Sequence, residues 1–349
     1  MKAIVCHAPK DLRIDDMPDE PLGAKQMKVR VAFGGICGSD LHYFQHGGFG
    51  TIRIQHPMVL GHEVSGIVSG VGADVQGFKA GQKIAISPSR PCGLCMYCQK
   101  GQHNHCLDMR FYGSAMRMPH VHGAFADEIV IDASQAHALD ANVDLSLAAL
   151  AEPLSVGLHA ISRAGTVFGK RVLVTGCGPI GALLIAALRR AGAAQIVAVD
   201  LSANALKTAQ EMGADITLNP SKDPEALKPY AANKGYFEVW FEASGSAAAL
   251  RSGLDVIAPR GVIVTVGLGG EVTLPLNALV AKELELRGTF RFHEEFATAV
   301  RFLNQGLVNA KPVISHVIDM ADAIEAFEIA GQRDQAMKVQ IRFNTELPV

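Results

Sequence analysis

Two rhythms of apolar and polar positions divide the chain. From Lys170 onward, short apolar runs alternate with helix-length segments, and strands are expected at Arg171 to Thr175, Gln195 to Asp200, Asp215 to Leu218, Tyr236 to Glu242, Gly261 to Val266 and Glu285 to Phe290. Such alternation predicts an α/β unit, a parallel sheet with helices on both faces, and six strands match a doubly wound Rossmann sheet. Before about residue 150 the runs are short and β-branched, as in Lys28 to Ala32 and Glu63 to Val68. Turn signals are expected there at Gly34-Gly35, Gly47-Gly48 and Gly70 to Gly72. That texture predicts an irregular β domain. Past Arg291, Phe296, Ala299, Val300 and Leu303 recur at helical spacing, and Lys338 to Ile341 reads as a strand packing back on the first domain. The expected division is a first domain over 1–155, a second over 156–290 and a returning segment over 291–349.

Composition narrows the function. Thirty-two Lys and Arg against 34 Asp and Glu leave a net charge of -2 in 349 residues, which disfavours a nucleic-acid partner. Hydrophobic residues make up 49% and charged ones 19%, enough apolar material for large buried cores. The longest uncharged stretch, Val172 to Leu188, is shorter than the ~20 residues of a spanning helix and is broken by Gly176, Gly178, Pro179 and Gly181. No membrane partner is expected. The amino-terminal stretch lacks a secretory h-region and the other end lacks a prenylation box, so the cytoplasm is the expected location.

Val172-Leu173-Val174 runs into Thr175-Gly176-Cys177-Gly178-Pro179-Ile180-Gly181, and Leu183, Leu184, Ala187 and Leu188 follow at helical spacing. This is G-x-G-x-x-G between a strand and a helix. The first glycine permits the tight turn, the second lets backbone approach a pyrophosphate, and the third lets helix and strand pack closely. Asp200 ends the next apolar run, where a carboxylate holds both ribose hydroxyls and repels a 2′-phosphate, so NAD is favoured over NADP. The competing reading is a glycine-rich turn with a capping Asp.

Four of the seven cysteines, Cys92, Cys95, Cys98 and Cys106, crowd into one polar loop at about 90–110 with spacing C-x2-C-x2-C-x7-C. Four thiolates so close suit one tetrahedral zinc, and with every position filled by protein that zinc is structural. An iron–sulfur cluster competes, but its bacterial spacing ends in C-x3-C-P, whereas Leu107 follows here. Disulfides and unliganded thiols are the remaining alternatives.

Cys37, His62 and Glu152 are the candidates for a second metal centre. Singly, a Cys is usually a small core residue and a His a satisfied one. Beside a nucleotide fold, Cys, His and a carboxylate with an open fourth position are the donor set that a Lewis-acid zinc needs to acidify an alcohol for hydride release to nicotinamide.

Gly61-His62-Glu63, then Gly66, Gly72 and Val75, followed by the four-cysteine loop and TGCGPIG in that order, resemble the zinc-containing medium-chain dehydrogenases over almost the whole chain. CGSDLHY (Cys37 to Tyr43) and AEPLSVGLHA (Ala151 to Ala160) look like the polyol branch typified by sorbitol dehydrogenase. DMRFYGSAMRMPHVHGAF (Asp108 to Phe125) and LRGTFRFHEEFATAV (Leu286 to Val300) resemble the bacterial L-idonate 5-dehydrogenases. The resemblance implies a GroES-like catalytic domain beside the Rossmann domain, and two zinc ions per chain. It implies that Cys37 and His62 bind the catalytic zinc with a glutamate, Glu152 favoured as direct ligand and Glu63 held as a neighbour or alternate ligand. It implies a proton relay from the substrate hydroxyl through Ser39 and His42; the bland alternative is that both are turn and surface residues.

The implied substrate is a sugar acid, most closely L-idonate oxidised at C5 to 5-keto-D-gluconate, with a polyol such as sorbitol or xylitol as the alternative. A sugar acid requires a cation for its carboxylate; Arg291 is the first candidate and Arg110 the second, each competing with a structural salt-bridge role. Family habit suggests a homotetramer or homodimer. A non-catalytic nucleotide-binding relative is disfavoured, because Cys37, Ser39, His62 and Glu152 are all present.

Overall fold

The computed structural model describes residues 1–347. Six parallel strands form one sheet in the order Ile216–Leu218, Gln195–Val199, Arg171–Thr175, Phe237–Glu242, Ile257–Thr265 and Glu285–Gly288. Chain order therefore reads 3-2-1-4-5-6, the doubly wound arrangement whose switch point lies beside the first strand. The helix Pro179–Arg190 buries Leu183, Leu184, Ala187 and Leu188, the expected face, against this sheet. The last strand is shorter than its apolar run suggests: it stops at Gly288, and Phe290 and Arg291 leave the sheet for the other half of the molecule, Arg291 with φ at 55°.

A seven-stranded, mostly antiparallel sheet forms the other half, centred on Gln26–Gly35. One edge of that strand pairs with Glu63–Val71. Its other edge is shared by Glu128–Asp132, opposite Gln26 to Arg30, and Lys338–Arg342, opposite Phe33 to Gly35. The expected return of the chain's last strand to the first domain is thus observed. The glycines at 34 and 35 lie inside the strand instead of forming the expected turn, because their missing side chains make room for neighbours. A Cβ on Gly34 would fall 2.7 Å from the Phe125 ring, and one on Gly35 would fall 2.2 Å from Glu63 Oε2. The strand Glu63–Val71 likewise continues through Gly70, so the expected turn there begins only at its end. Gly47, by contrast, does end a helix, Gly38–His46, in the left-handed conformation at φ 70°.

The two halves are joined through helix Ala151–Ala164, which packs against Pro179–Arg190 and Glu295–Asn304. One apolar cluster runs from Phe33 and Ala85 through Leu150 and Leu154 to Val172 and Val174. No helix among the described residues is long and apolar enough to cross a membrane.

Candidate active site and zinc centres

The nucleotide loop gives its three glycines three different jobs. Gly176 sits at φ 86° against the Ser244 backbone, where a Cβ would meet nitrogen at 2.5 Å. Gly181 lies against the Gly176 carbonyl oxygen, 2.0 Å from where a Cβ would be. Gly178, the residue before the helix, faces open space with nothing within 4 Å of its missing Cβ. That opening, with the helix amino terminus beneath it, is a cradle for a pyrophosphate. Pro179 and Ile180 follow as the first two helical residues. Asp200 lies just past its strand and accepts from the Cys177 backbone N–H at 2.6 Å and the Ser202 N–H at 2.8 Å. It tethers the loop and brings a carboxylate to the cradle's edge.

The ligand atoms of Cys92, Cys95, Cys98 and Cys106 all lie within 4.8 Å of one another. Sulfurs around a tetrahedral zinc stand ~3.8 Å apart at Zn–S of about 2.3 Å, so the cluster fits that ion. Cys92, Cys95 and Asp108 donate backbone N–H groups to neighbouring sulfurs at 3.2 to 3.4 Å, which favours thiolates. The Cys95 thiol is pushed down to about 6, first by backbone N–H groups of Cys98 and Leu107. All seven cysteines are free thiols.

The second cluster forms where Gly34–Cys37, Gly61–Glu63 and the first turn of helix Ala151–Ala164 converge. Donor atoms of Cys37, His62 and Glu63 lie within 4.8 Å of one another, and Glu152, buried in that first turn, is outside this group. Asp40, fully buried, ties the parts together: its carboxylate accepts from the Cys37 N–H at 2.9 Å and the Gly61 N–H at 3.1 Å, and stands 3.7 Å from His62 Nδ1. Sequence reasoning passed over Asp40, although it lies in the Cys37-Gly38-Ser39-Asp40 string, because a buried carboxylate there looks like a helix cap until the His62 loop is brought alongside.

Lys338 is the second residue missed. Buried on the returning strand, it donates to Glu63 Oε1 at 2.7 Å and to the Ile36 carbonyl at 3.0 Å. Its apolar strand gave no sign of a functional cation.

The electrostatics ask for a cation. Burial opposes charge on His62, yet Asp40, Cys37 and Glu152 raise its pKa to about 10. Burial, with the like charges of Glu63 and Asp40, lifts Glu152 to about 7 against the pull of His62 and Lys338. His62 Nδ1 and Glu63 Oε2 are buried without a hydrogen-bond partner among the described residues. Orphaned donor atoms and clustered acids around one imidazole fit a metal ion.

Ser39 and His42 lie three apart in helix Gly38–His46, hence on neighbouring positions of its surface. Burial, then His46 and Arg333, lower the His42 pKa, which favours the neutral ring. The Arg291 guanidinium lies 4.1 Å over the Phe111 ring, whose centroid is 5.5 Å from that of His62. Burial lowers the Arg291 pKa to about 10, partly offset by the charges of Glu152 and Tyr43. Arg110 is exposed, next to buried Phe111 in a two-residue strand and so directed to the opposite side.

Residues 23–141 match the alcohol dehydrogenase GroES-like domain and residues 179–305 the zinc-binding dehydrogenase domain. The chain therefore belongs to the zinc-binding alcohol dehydrogenase family, the medium-chain dehydrogenases that join a GroES-like domain to a Rossmann-like sheet. It is 46% identical to L-idonate 5-dehydrogenase (NAD(P)(+)) of Escherichia coli over 90% of this chain and 91% of that protein. The crystal structure of the Escherichia coli L-idonate 5-dehydrogenase superposes with a TM-score of 0.94, covering 98% of both chains at 43% identity. Human sorbitol dehydrogenase is 37% identical over 93% of this chain and 91% of its own.

Proposed function

We propose that this enzyme oxidises a secondary hydroxyl of a sugar acid, L-idonate at C5, with NAD as hydride acceptor and two zinc ions per chain. The observation that carries the substrate class is Arg291, a half-buried guanidinium held over Phe111 one ring away from His62. A guanidinium there matches a carboxylate that a neutral polyol lacks. The similarity to the Escherichia coli enzyme supports the same choice.

Cys37, His62 and Glu152 would hold the catalytic ion, with Glu63 as alternate ligand. Proximity and the unpartnered Oε2 favour Glu63, but its other oxygen is already held by Lys338 at 2.7 Å. No lysine or arginine among the described residues forms an ion pair with Glu152, which therefore has the stronger need of a metal. Asp40 holds the Cys37 and His62 loops in register. When bound, zinc supplies Lewis acidity toward a hydroxyl oxygen and NAD supplies the hydride acceptor. Ser39 accepts the hydroxyl proton, and His42 passes it outward toward solvent. Arg291 binds the carboxylate and so fixes which hydroxyl faces Cys37 and His62. Gly178 and the helix amino terminus behind it would take the pyrophosphate, in a turn that Gly176 and Gly181 make possible, and Asp200 would take the ribose hydroxyls. Cys92, Cys95, Cys98 and Cys106 would hold the structural ion.

Free thiols support a reducing, cytoplasmic setting. The outermost strand Glu285–Gly288 with half-exposed Leu286 supports self-association as a dimer or tetramer. The deciding experiment is NAD reduction across L-idonate, D-gluconate, sorbitol and xylitol, before and after chelation. L-idonate is expected to give the highest kcat/KM, with activity lost on chelation. A preference for sorbitol or xylitol removes the carboxylate argument and favours the polyol reading.

A further inference from the structure

The four-cysteine lobe does more than close on itself. Between Cys98 and Cys106 it sends out a short 3-10 turn, His103–His105, that meets the loop carrying Arg291. Asn104, 9% exposed, donates its side-chain amide to the Phe290 carbonyl at 3.0 Å, a bond between residues 186 apart in sequence. The His103 ring stacks on the His293 ring at 3.8 Å between centroids, and the His105 ring stacks on Phe290 at 6.0 Å. On its far side the same loop is held by Glu295, which accepts from the His293 N–H at 3.1 Å. Arg291 lies between these anchors in the left-handed backbone region, at φ 55°, a conformation uncommon for residues other than glycine.

We infer that Asn104 is a positioning residue for substrate binding: by clamping the Phe290 carbonyl to the four-cysteine lobe it enforces the backbone turn that points the Arg291 guanidinium over Phe111. The inference rests on the reading of Arg291 as the carboxylate-binding cation. Asn104 touches neither substrate nor cofactor. It acts by lowering the number of conformations from which Arg291 must be recruited, so its loss weakens binding of an anionic substrate and leaves turnover of bound substrate intact. His103 contributes to the same seam by stacking.

The test uses the full-length zinc-loaded enzyme. Asn104→Asp keeps the shape and removes the donor, and His103→Ala opens the seam from its other contact. For each, KM and kcat are measured with L-idonate and with sorbitol, alongside zinc per chain and NADH affinity. Expected are a KM for L-idonate raised about five- to tenfold, as for a lost hydrogen bond, with kcat, sorbitol KM, zinc content and NADH affinity unchanged. In an Arg291→Ala background the Asn104→Asp change is expected to add nothing. An unchanged L-idonate KM in both variants, an equal rise for sorbitol, an effect that persists without Arg291, or loss of zinc overturns the inference. If Arg291→Ala raises the L-idonate KM while Asn104→Asp does not, only the inference fails. If Arg291→Ala leaves that KM unmoved, the carboxylate reading fails and the inference with it.

Discussion

Lys338 donates to Glu63 at 2.7 Å with both side chains almost completely buried, joining the chain's last strand to the strand that begins at the Cys37–His62 cluster. Buried pairs of this kind add little over an apolar pair, but removing one partner leaves an uncompensated charge. Lys338→Met is expected to destabilise the protein by about 3–5 kcal/mol. The double variant Lys338→Met/Glu63→Gln is expected to recover most of that loss. Denaturant unfolding of the two variants checks it, and equal stability of single and double variants would refute the pairing as the cause.

The two candidate metal clusters are expected to separate under mutation. Cys37→Ala or His62→Ala is expected to remove one zinc per chain and abolish NAD-linked turnover with the fold retained. Cys98→Ser is expected to remove the other zinc and lower thermal stability, because the lobe's folding is coupled to its ion. Zinc analysis beside circular dichroism reads both. Glu152→Ala is expected to lose more catalytic-site zinc than Glu63→Ala; the reverse ranking would make Glu63 the ligand.

Asp40 accepts from two backbone N–H groups and faces His62, so Asp40→Asn keeps the shape while weakening both bonds and the ring's orientation. A fall in kcat/KM or zinc affinity of about 10–100-fold is expected. Activity within twofold of the parent, roughly the scatter between equivalent surface variants, would reduce Asp40 to a helix cap.

Asp200 tethers Cys177 at the edge of the glycine loop, and the proposed coenzyme preference rests on the same carboxylate. Asp200→Ala is expected to raise the KM for NAD about tenfold, as for a lost charge-assisted hydrogen bond, while changing that for NADP much less. Initial-rate kinetics with both coenzymes decide, and a parallel rise for the two would assign Asp200 to loop structure alone.

Glu295 gives a pH prediction that does not involve either metal cluster. Burial works against its ionisation, but His159 at 2.9 Å and the His293 N–H hold its pKa down to about 2. A folded pKa below the unfolded one stabilises above the unfolded value and is lost as pH falls. The stability gap between parent and Glu295→Gln is thus expected to be full, at about 2 kcal/mol after allowing for partial hydration, above pH ~4.5. It should shrink as pH falls toward 2. Unfolding curves at pH 7, 4 and 3 measure it.

What the sequence determined by itself were features carried by local order. Six apolar runs spaced by helical segments dictate a parallel sheet, and glycines 176, 178 and 181 lie between a strand and a helix whatever surrounds them. The cysteines at 92, 95, 98 and 106 are close because the chain between them is short. Tertiary structure alone decided what depends on distant segments meeting. Gly34 and Gly35 read as a turn until Phe125 and Glu63 fill the space above them. Asp40 reads as a cap until the Gly61–His62 loop reaches it, and Lys338 as an ordinary strand residue until the strand inserts beside Gly35. Asn104 meets Phe290 only because the polypeptide leaves one sheet at Gly288 and crosses to the other half. Periodicity records which face of an element is apolar; it holds no record of which remote polar group will stand opposite.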